Sequence, residues 1–301
     1  MLKIQKYAAI DIGSNAVRLL ISNVIEEEGK PVLFKKNSLV RVPIRLGSDV
    51  FLTQKISPEN IQRITDTMLA FKLLMKSHKI VKYKACATSA MREAINGQEV
   101  VNLVFKNSKI RIDIIEGEEE AAVIAATDLH KYIDNAKTYL YVDVGGGSTE
   151  FTVIHKGNTV VSKSFKIGTV RLLNDIVEKK TWDELETWIR YQASLFDKIE
   201  VIGSGGNINK IFKISRKAMG KPLTYFYLTS YFNILKSYSY EERITVLDLN
   251  EDRADVIIPA MRIYLSSMKW SGAKYIYVPK IGLVDGIIKS IYYDTVSSST
   301  Q

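Results

Sequence analysis

The sequence predicts an α/β fold built from two related halves, and two observations lead to this prediction. Strand-like segments alternate with segments of helical periodicity along the 301 residues, which is typical of α/β proteins. In addition, a strand–turn–strand pattern with an Asp-x-Gly turn occurs twice, at 7–25 and at 139–154. An offset of 132 residues places Asp11 on Asp143, so each half begins with the same unit.

The composition is that of an ordinary globular protein, with 46% hydrophobic and 25% charged residues. The single cysteine, Cys86, excludes an intrachain disulfide and fits a reducing cytoplasm. No signal-peptide pattern precedes the first strand, and no apolar run approaches membrane-spanning length. We therefore expect a cytoplasmic protein without a membrane partner.

The net charge is +9 at pH 7. A positive field favours polyanionic ligands such as nucleic acid, nucleotides or polyphosphate. A basic surface without such a ligand is the commoner case, and charge alone does not choose among these alternatives.

The elements of the first half begin with two strands within 7–25 and extended segments over 31–46. Ser57 as N-cap, Pro58 at the first helical position and apolar residues at helical spacing predict a helix through about Lys79. Shorter elements are predicted after it: a strand at 83–87, a helix start after Thr88, a helix at 97–107, a strand at 110–115 and a helix start at 116–126.

The second half repeats this plan. Predicted strands lie at 139–154, 159–166, 199–202 and 275–278. Predicted helices lie near 168–178, 183–197, 207–216, 229–237, 251–269 and 287–293, and the tail from Val296 is predicted to fray. We expect one domain at 1–125, with the final helix at 285–301 packing back on it, and a second domain at 126–284.

The two Asp-x-Gly turns are candidate phosphate sites, and we call residues 11–18 loop 1 and residues 143–150 loop 2. Consecutive glycines let backbone N–H groups converge on an anion. A carboxylate does not bind phosphate directly, so Asp11 and Asp143 would hold Mg²⁺ or a water. The alternative is that each aspartate only caps its own turn. The match between the two loops favours the functional interpretation.

Further acids lie near these loops in the sequence. Glu118, Glu119 and Glu120 precede an apolar segment at 121–126, and they either complement a helix dipole or include a general base for an attacking water. Spacing alone does not identify which glutamate that base is. Glu150 is the last residue of loop 2 and lies where the returning strand starts. Its side chain either faces back toward the glycines or is an edge-strand charge.

Arginines are candidate anion ligands because the guanidinium fork fits phosphate oxygens; these are Arg18, Arg45, Arg92, Arg171 and Arg253. The segment 203–206 follows a strand and opens a helix, as a phosphate or nucleotide turn does. The histidines are scattered and show no zinc-ligand spacing. No Gly-x-Ser-x-Gly elbow is present, which argues against a serine hydrolase.

Eight segments, taken in order, resemble one family. They are AAIDIGSNAVRLLI (8–21), RLGSDV (45–50), ATSAMREAIN (87–96), EGEEEAAVI (116–124), VDVGGGSTEF (142–151), IGTVRLL (167–173), GSGGNI (203–208) and DRADVIIPA (252–260). With them the chain resembles the exopolyphosphatase and guanosine pentaphosphate phosphatase family of the actin-like ATPase superfamily, from about Tyr7 to about Ile288. The resemblance implies an α/β fold of two actin-like (ribonuclease H-like) domains around a central cleft.

The resemblance also implies roles for individual residues. Glu120 matches the catalytic base, and Asp143 and Glu150 match catalytic acids that place Mg²⁺ and the attacking water. The implied phosphate-binding residues are Asp11, Gly13, Ser14 and Asn15 in one loop, Gly145, Gly146, Gly147, Ser148 and Thr149 in the other, and Arg92. Further candidates for nucleotide or polyphosphate contact are Arg18, Arg171, Gly205 and Arg253.

The chain departs from the family pattern in two motifs. Glu116 replaces the serine that usually precedes Gly-x-Glu-Glu, and Gly282-Leu-Val-Asp-Gly286 lacks the usual arginine. The length resembles that of the short, two-domain form.

We therefore expect Mg²⁺-dependent hydrolysis of the terminal phosphate of inorganic polyphosphate. Guanosine pentaphosphate is a second candidate substrate, guanosine tetraphosphate a candidate ligand and a second copy of the chain a candidate partner; no nucleic-acid partner is expected. The alternatives are an ATP-dependent kinase or ATPase of the same superfamily and a non-catalytic binder of guanosine tetraphosphate. The intact set of Glu120, Asp143 and Glu150 argues against a purely binding role.

Overall fold

The structure is a computed structural model that describes residues 2–125, 127 and 134–299. Internal contacts divide the chain into two units, Met1–Thr127 with Leu283–Gln301 and Asp128–Gly282. Residues 126 and 128–133, next to the domain boundary predicted at 125/126, lie outside the described residues, as do the last two residues of the final helix predicted at 285–301.

Eleven strands and thirteen helices are present within the described residues. The strands are β1 Leu2–Ile12, β2 Val17–Glu27, β3 Leu33–Val42, β4 Lys82–Ala87, β5 Asp113–Ile114, β6 Thr138–Val144, β7 Thr149–His155, β8 Asn158–Phe165, β9 Glu200–Ser204, β10 Leu223–Thr224 and β11 Tyr275–Tyr277. The helices are α1 Leu46–Thr53, α2 Pro58–Ser77, α3 Ser89–Glu93, α4 Gly97–Ser108, α5 Gly117–Ala125, α6 Thr169–Leu173, α7 Lys179–Ser194, α8 Gly206–Ile214, α9 Tyr225–Ser237, α10 Tyr240–Thr245, α11 Glu251–Ala254, α12 Ile257–Ser271 and α13 Leu283–Ser299.

The first unit is built on a five-stranded sheet in the order β3-β2-β1-β4-β5. β1, β2 and β3 are antiparallel neighbours, and β4 and β5 continue the sheet in parallel with β1. Alternate residues of β1 that include Ile10 share a buried core with Ile64 and Phe71 of α2 and Val104 of α4. α13 packs against β1, β2, β4 and α5.

The second unit is built on a six-stranded sheet in the order β10-β11-β9-β6-β7-β8. β6, β7 and β8 are antiparallel neighbours, while β9 and β11 continue in parallel beyond β6. Its core joins the sheet to α7, α8, α9 and α12. Three antiparallel strands followed by parallel strands thus occur in both units, and the predicted α/β fold class with two actin-like (ribonuclease H-like) units is confirmed.

Several helix predictions are confirmed and others are wrong. Ser57 caps α2 as predicted, since its side chain accepts a hydrogen bond from the amide of Asn60. α1 was missed because Val42-Pro43 favours extended backbone and the helix starts at Arg45 without a side-chain cap. α10 was also missed, although Ser239 and Glu242 form a capping box that the sequence displays.

Other boundaries differ from the predictions. The helix predicted at 251–269 is two helices, α11 and α12, with Pro259 in the first turn of the second, where proline is tolerated. The helix predicted at 168–178 ends at Leu173, and the strand predicted at 110–115 is limited to β5. The tail predicted to fray from Val296 is helical as far as Ser299. Within the described ranges, no helix combines the length and apolar character needed to cross a membrane.

Candidate active site

The two loops have the same backbone arrangement. In loop 1, β1 and β2 pair so that Asp11 lies opposite Arg18, and in loop 2, β6 and β7 pair so that Asp143 lies opposite Glu150. The turn of loop 1 is closed by a hydrogen bond of 3.2 Å from the Gly13 amide, and the turn of loop 2 by one of 3.0 Å from the Gly145 amide. The acceptors are the carbonyls of Ala16 and Ser148. Donor and acceptor residues that are 132 positions apart therefore make the same hydrogen bond in the two loops.

The start of a short helix supports each loop. The amide of Gly47, in α1, donates to the Ser14 carbonyl at 2.7 Å, and the amide of Val170, in α6, donates to the Gly146 carbonyl at 2.9 Å. A Cβ on Gly168 would overlap the Gly146 carbonyl and the backbone of the next residue. Only glycine therefore lets the chain before α6 approach loop 2 this closely.

The hydroxyls predicted to bind phosphate are engaged within the protein. The Ser14 hydroxyl shares a hydrogen bond of 2.9 Å with that of Ser89, and the Ser148 hydroxyl donates to Glu150 at 2.6 Å. The Thr149 hydroxyl donates to the Ile167 carbonyl at 2.5 Å. All of these loop hydroxyls are buried, whereas Gly13, Asn15, Gly145 and Gly146 are partly accessible. The accessible positions of the loops are therefore mainly backbone rather than hydroxyl groups.

Loop 1 neutralises its acid internally. Asp11 is buried, and its carboxylate accepts a hydrogen bond from Arg18 at 3.0 Å. Burial raises the pKa of Asp11 above its usual value of 3.8, while the positive charge and the hydrogen bond of Arg18 oppose this shift. Arg18, predicted as an anion ligand, thus contacts an acid of its own loop.

Loop 2 places a second acid where loop 1 has the arginine. Glu150 is only 2% exposed, and its Oε1 accepts hydrogen bonds from Ser148 at 2.6 Å and from Ser164 at 2.9 Å. The Glu150 side chain is thereby fixed beside Asp143, its cross-strand neighbour. Directly opposed side chains of this kind have Cβ atoms about 5 Å apart.

The turn at Gly205 adjoins the same acid. A Cβ on Gly205 would lie 2.9 Å from the Val144 carbonyl and 3.6 Å from Oδ1 of Asp143, and the residue has a φ of +116°. The buried Tyr264 hydroxyl donates to the Ser204 carbonyl. Burial, followed by the negative charge of Asp143, raises the pKa of Tyr264 well above 10.0, so the hydroxyl remains a donor.

In the first unit, Arg92 lies one turn after the Ser89 that contacts loop 1. Its Nη1 donates to the Ile115 carbonyl at 2.5 Å, and its Nε lies 3.6 Å from the Glu116 carboxylate. Arg92 therefore contacts the segment that begins α5.

α5 carries the three candidate glutamates in its first turn. Glu118 and Glu119 are exposed, whereas Glu120 is half-buried. The apolar segment predicted at 121–126 is buried on one side of the helix only, because Ala121 and Ile124 are buried while Ala122 is exposed. Ala126 lies outside the described residues. The difference in burial favours Glu120 among the three as the candidate general base.

The other predicted arginines have different surroundings. The Nε of Arg171 donates to the Gly147 carbonyl at 2.8 Å, so this side chain supports loop 2. Arg253 lies in α11, where its amide bonds to the Asn250 carbonyl at 2.8 Å.

Sequence reasoning missed four residues that shape the loops: Ser89, Ser164, Gly168 and Tyr264. A signal existed for Ser164, because an antiparallel third strand places a residue opposite Glu150 once the turn between β7 and β8 is located. Ser89 follows the strand predicted at 83–87, but nothing in its local sequence connects it with loop 1. Nothing in the local sequence indicates that Tyr264 lies near Asp143.

Two glycine loops on one repeated framework, the second bearing paired carboxylates, define an α/β protein with a candidate phosphate site. The model of the Ppx/GppA phosphatase family matches residues 26–294. The chain therefore belongs to the Ppx/GppA phosphatase family.

Individual relatives agree with this membership. The bifunctional 3-dehydroquinate synthase/phosphatase of Fusobacterium nucleatum is 35% identical over 173 residues, covering 55% of this chain and 25% of that protein. Exopolyphosphatase 2 of Mycobacterium tuberculosis is 31% identical over 174 residues, covering 56% of this chain and 53% of that protein. The chain thus spans from a quarter to about half of the length of these relatives.

A solved structure agrees in fold. The crystal structure of an exopolyphosphatase from Cytophaga hutchinsonii superposes with a TM-score of 0.83 at 21% identity, covering 95% of this chain and 97% of that one. At this identity the likeness supports the fold alone.

Proposed function

We propose that this protein is an exopolyphosphatase that removes the terminal phosphate of inorganic polyphosphate with the help of Mg²⁺. The observation that carries the proposal is the pair of directly opposed carboxylates, Asp143 and Glu150, on a glycine loop of a Ppx/GppA family member. A glycine loop suits a phosphate, and paired acids suit a cation that neutralises it.

The terminal phosphate is bound by backbone amides in this proposal. The partly accessible Gly146 of loop 2 offers such an amide, and the hydrogen bond from Val170 to the Gly146 carbonyl holds this loop in shape. Amides in a fixed loop need little reorganisation as charge develops on the transferring group. Arg92 adds a positive charge to the same function.

Asp143 and Glu150 are the residues that would hold Mg²⁺. Two opposed carboxylates repel each other unless a proton or a cation lies near them. Ser148 and Ser164 orient Glu150 by hydrogen bonds, as outer partners of metal-binding carboxylates do. Within the described part of the chain, no cluster of three or more acids, histidines or cysteines forms a metal site. Mg²⁺ is often bound by one or two carboxylates, with waters and substrate phosphates as its remaining ligands.

Glu120 is the proposed general base. A water oxygen attacks the terminal phosphorus, Glu120 takes the proton of that water, and the bridging P–O bond breaks. The products are inorganic phosphate and a polyphosphate shortened by one unit. When bound, Mg²⁺ supplies positive charge that stabilises the oxygens of the transferring group.

The substrate preference within this chemistry is part of the proposal. The relative from Mycobacterium tuberculosis is named an exopolyphosphatase, and the net charge of +9 suits a long polyanion. Hydrolysis of guanosine pentaphosphate to tetraphosphate is a second proposed activity of the same site. A cytoplasmic location and a homodimer complete the proposal; cell fractionation and light scattering test them.

One assay tests the proposed function. Phosphate release is measured from polyphosphate, guanosine pentaphosphate and ATP at equal concentration, with Mg²⁺ and with EDTA. Polyphosphate should be hydrolysed fastest, and only with the metal. Faster release from ATP would instead indicate an ATPase, and nucleotide binding without hydrolysis would indicate a binding protein.

Glu120→Gln tests the assigned base. Removing a general base should lower kcat by about 10²–10⁴-fold without changing the unfolding transition. Glu99→Gln is the matched control, since Glu99 is an exposed acid in the first turn of α4. Equal kcat in wild type and Glu120→Gln would contradict the assignment of the base.

A further inference from the structure

The Arg92 guanidinium is anchored by one of its nitrogens. Its Nη1 donates to the Ile115 carbonyl at 2.5 Å, and the side chain as a whole is 19% exposed. An anchored and largely buried guanidinium has few rotamers left, so the orientation of its remaining nitrogens is set by the protein.

The remaining nitrogens are Nε and Nη2, which lie on the same edge of the planar group. This edge is one of those that bind two oxygens of a phosphate or carboxylate at once. Among the described residues, Nη2 makes no hydrogen bond, while Nε lies 3.6 Å from Oε2 of Glu116. The edge suited to a phosphate thus has a carboxylate of the chain itself beside it.

Glu116 is placed so that it can leave this position. Its side chain is 77% exposed. Among the described residues, its backbone carbonyl accepts the helical hydrogen bond of the Glu120 amide at 2.9 Å, and this bond does not involve the side chain. Rotation of the carboxylate away from Arg92 therefore disturbs neither α5 nor the Nη1 anchor.

We propose that Glu116 is an internal competitor for the phosphate-binding edge of Arg92, and that a substrate phosphate must displace its carboxylate. The inference rests on the proposed function, in which Arg92 binds phosphate. A group that occupies the site in the free protein lowers the apparent affinity by the fraction of molecules in which the site is open. Because the competitor is absent from both the bound state and the transition state, it raises KM and leaves kcat unchanged.

The expected effect is modest because the Glu116 side of the pair is exposed. Exposed ion pairs contribute about 0.2–1 kcal/mol, so release of Arg92 should strengthen phosphate binding about 1.5- to fivefold. The glutamate thus sets the substrate concentration at which the enzyme works rather than its maximal rate.

The experiment measures binding and turnover in parallel. Calorimetric titration with tripolyphosphate in EDTA, where the proposed hydrolysis is prevented, should give a lower Kd for Glu116→Gln than for wild type. With Mg²⁺ and polyphosphate, the same variant should have a lower KM and a kcat within about twofold. Glu99→Gln, which removes one exposed acid elsewhere in the first unit, should leave Kd, KM and kcat unchanged.

A second arm separates competition for Arg92 from a general loss of negative charge. In an Arg92→Gln background, Glu116→Gln should no longer strengthen binding, because the competed group is gone. An equal gain in both backgrounds, or an unchanged Kd in Glu116→Gln alone, would overturn the inference. Wild type that binds tripolyphosphate but releases no phosphate would overturn the proposed function and leave the binding comparison valid.

Discussion

Loops 1 and 2 share a backbone and differ in one decisive side chain. Each begins with a buried or half-buried aspartate, closes with an equivalent amide–carbonyl bond and rests on the start of a short helix. Opposite the aspartate, loop 1 has Arg18 and loop 2 has Glu150. The same framework therefore holds a neutralised acid in one unit and a pair of acids in the other.

This difference indicates different roles for the two loops. Asp11 already has a cationic partner at 3.0 Å, so it gains little from a metal ion. Asp143 and Glu150 bring two carboxylates to one place, an arrangement that suits a cation. In the proposed function, loop 1 is thus suited to an anion and loop 2 to a cation.

The largest expected effect comes from neutralising the aspartate of each loop in turn. Asp143→Asn should lower kcat by about 10³-fold, as removal of one group that stabilises transition-state charge does. Asp11→Asn should lower kcat by less than about tenfold, because Arg18 remains and no metal ligand is lost. Steady-state kinetics over a range of Mg²⁺ concentrations measure both.

The order of these two effects decides whether the loops differ in role. Equal losses in Asp143→Asn and Asp11→Asn would show that both acids serve the metal. In that case the proposed difference in role between the loops would be wrong, even though their backbones match.

The second prediction compares the helices that support the loops. A methyl group at Gly168 would meet the backbone of loop 2, which cannot move aside, whereas one at Gly47 would meet the Phe51 ring and the Ser14 Cβ. Gly168→Ala should therefore lower the free energy of unfolding by about 3 kcal/mol and Gly47→Ala by about 1 kcal/mol. Urea denaturation measures both; a larger loss in Gly47→Ala would reverse the argument.

The third prediction concerns the ion pair of loop 1. Arg18→Met should lower the free energy of unfolding by about 1.5 kcal/mol at pH 7, the low end for a charged hydrogen bond, because Arg18 is 34% exposed. The double variant Asp11→Asn/Arg18→Met should regain part of this loss, since no unpaired carboxylate remains buried.

The loss of unfolding free energy in Arg18→Met should depend on pH in a definite direction. Burial raises the pKa of Asp11 above 3.8 in the folded protein, so the folded state binds the proton more tightly than the unfolded state. Stability from this group is therefore greatest at low pH and falls as pH rises through the folded pKa. Without Arg18 the folded pKa rises further, so the difference between wild type and Arg18→Met should grow from pH 4 to pH 8. A difference that shrinks over this range would contradict the assigned pair.

The smallest expected effect comes from the support of Glu150. Ser164→Ala removes one of the hydroxyls that orient this carboxylate and should weaken Mg²⁺ activation about tenfold. Ser162→Ala is the matched control on the same strand, because Ser162 bonds to Thr152 instead, at 2.9 Å. Equal Mg²⁺ dependence of the two variants would contradict a supporting role for Ser164.

Much of the framework was predictable because it depends on repeating patterns. Alternating apolar residues fix which face of a strand is buried, and a short turn fixes the register, so Asp11 and Asp143 had to begin equivalent hairpins. The start of α2 was predictable from Ser57 and Pro58. α1 was not, because its N-cap residue, Arg45, is left-handed and makes no side-chain cap, so no local signal marks the helix start.

The amino-acid sequence by itself determined the two glycine loops, their spacing, the family and the acids and arginines that are candidates for the site. Only the tertiary structure decided which charges meet: Arg18 with Asp11, Arg92 with Glu116, and the seryl hydroxyls with Glu150. The physical reason is that these two kinds of feature depend on interactions of different range. Backbone pattern is set by neighbours in the chain, whereas an ion pair or a hydrogen bond depends on distances of about 3 Å between side chains, and packing of the whole unit sets those distances.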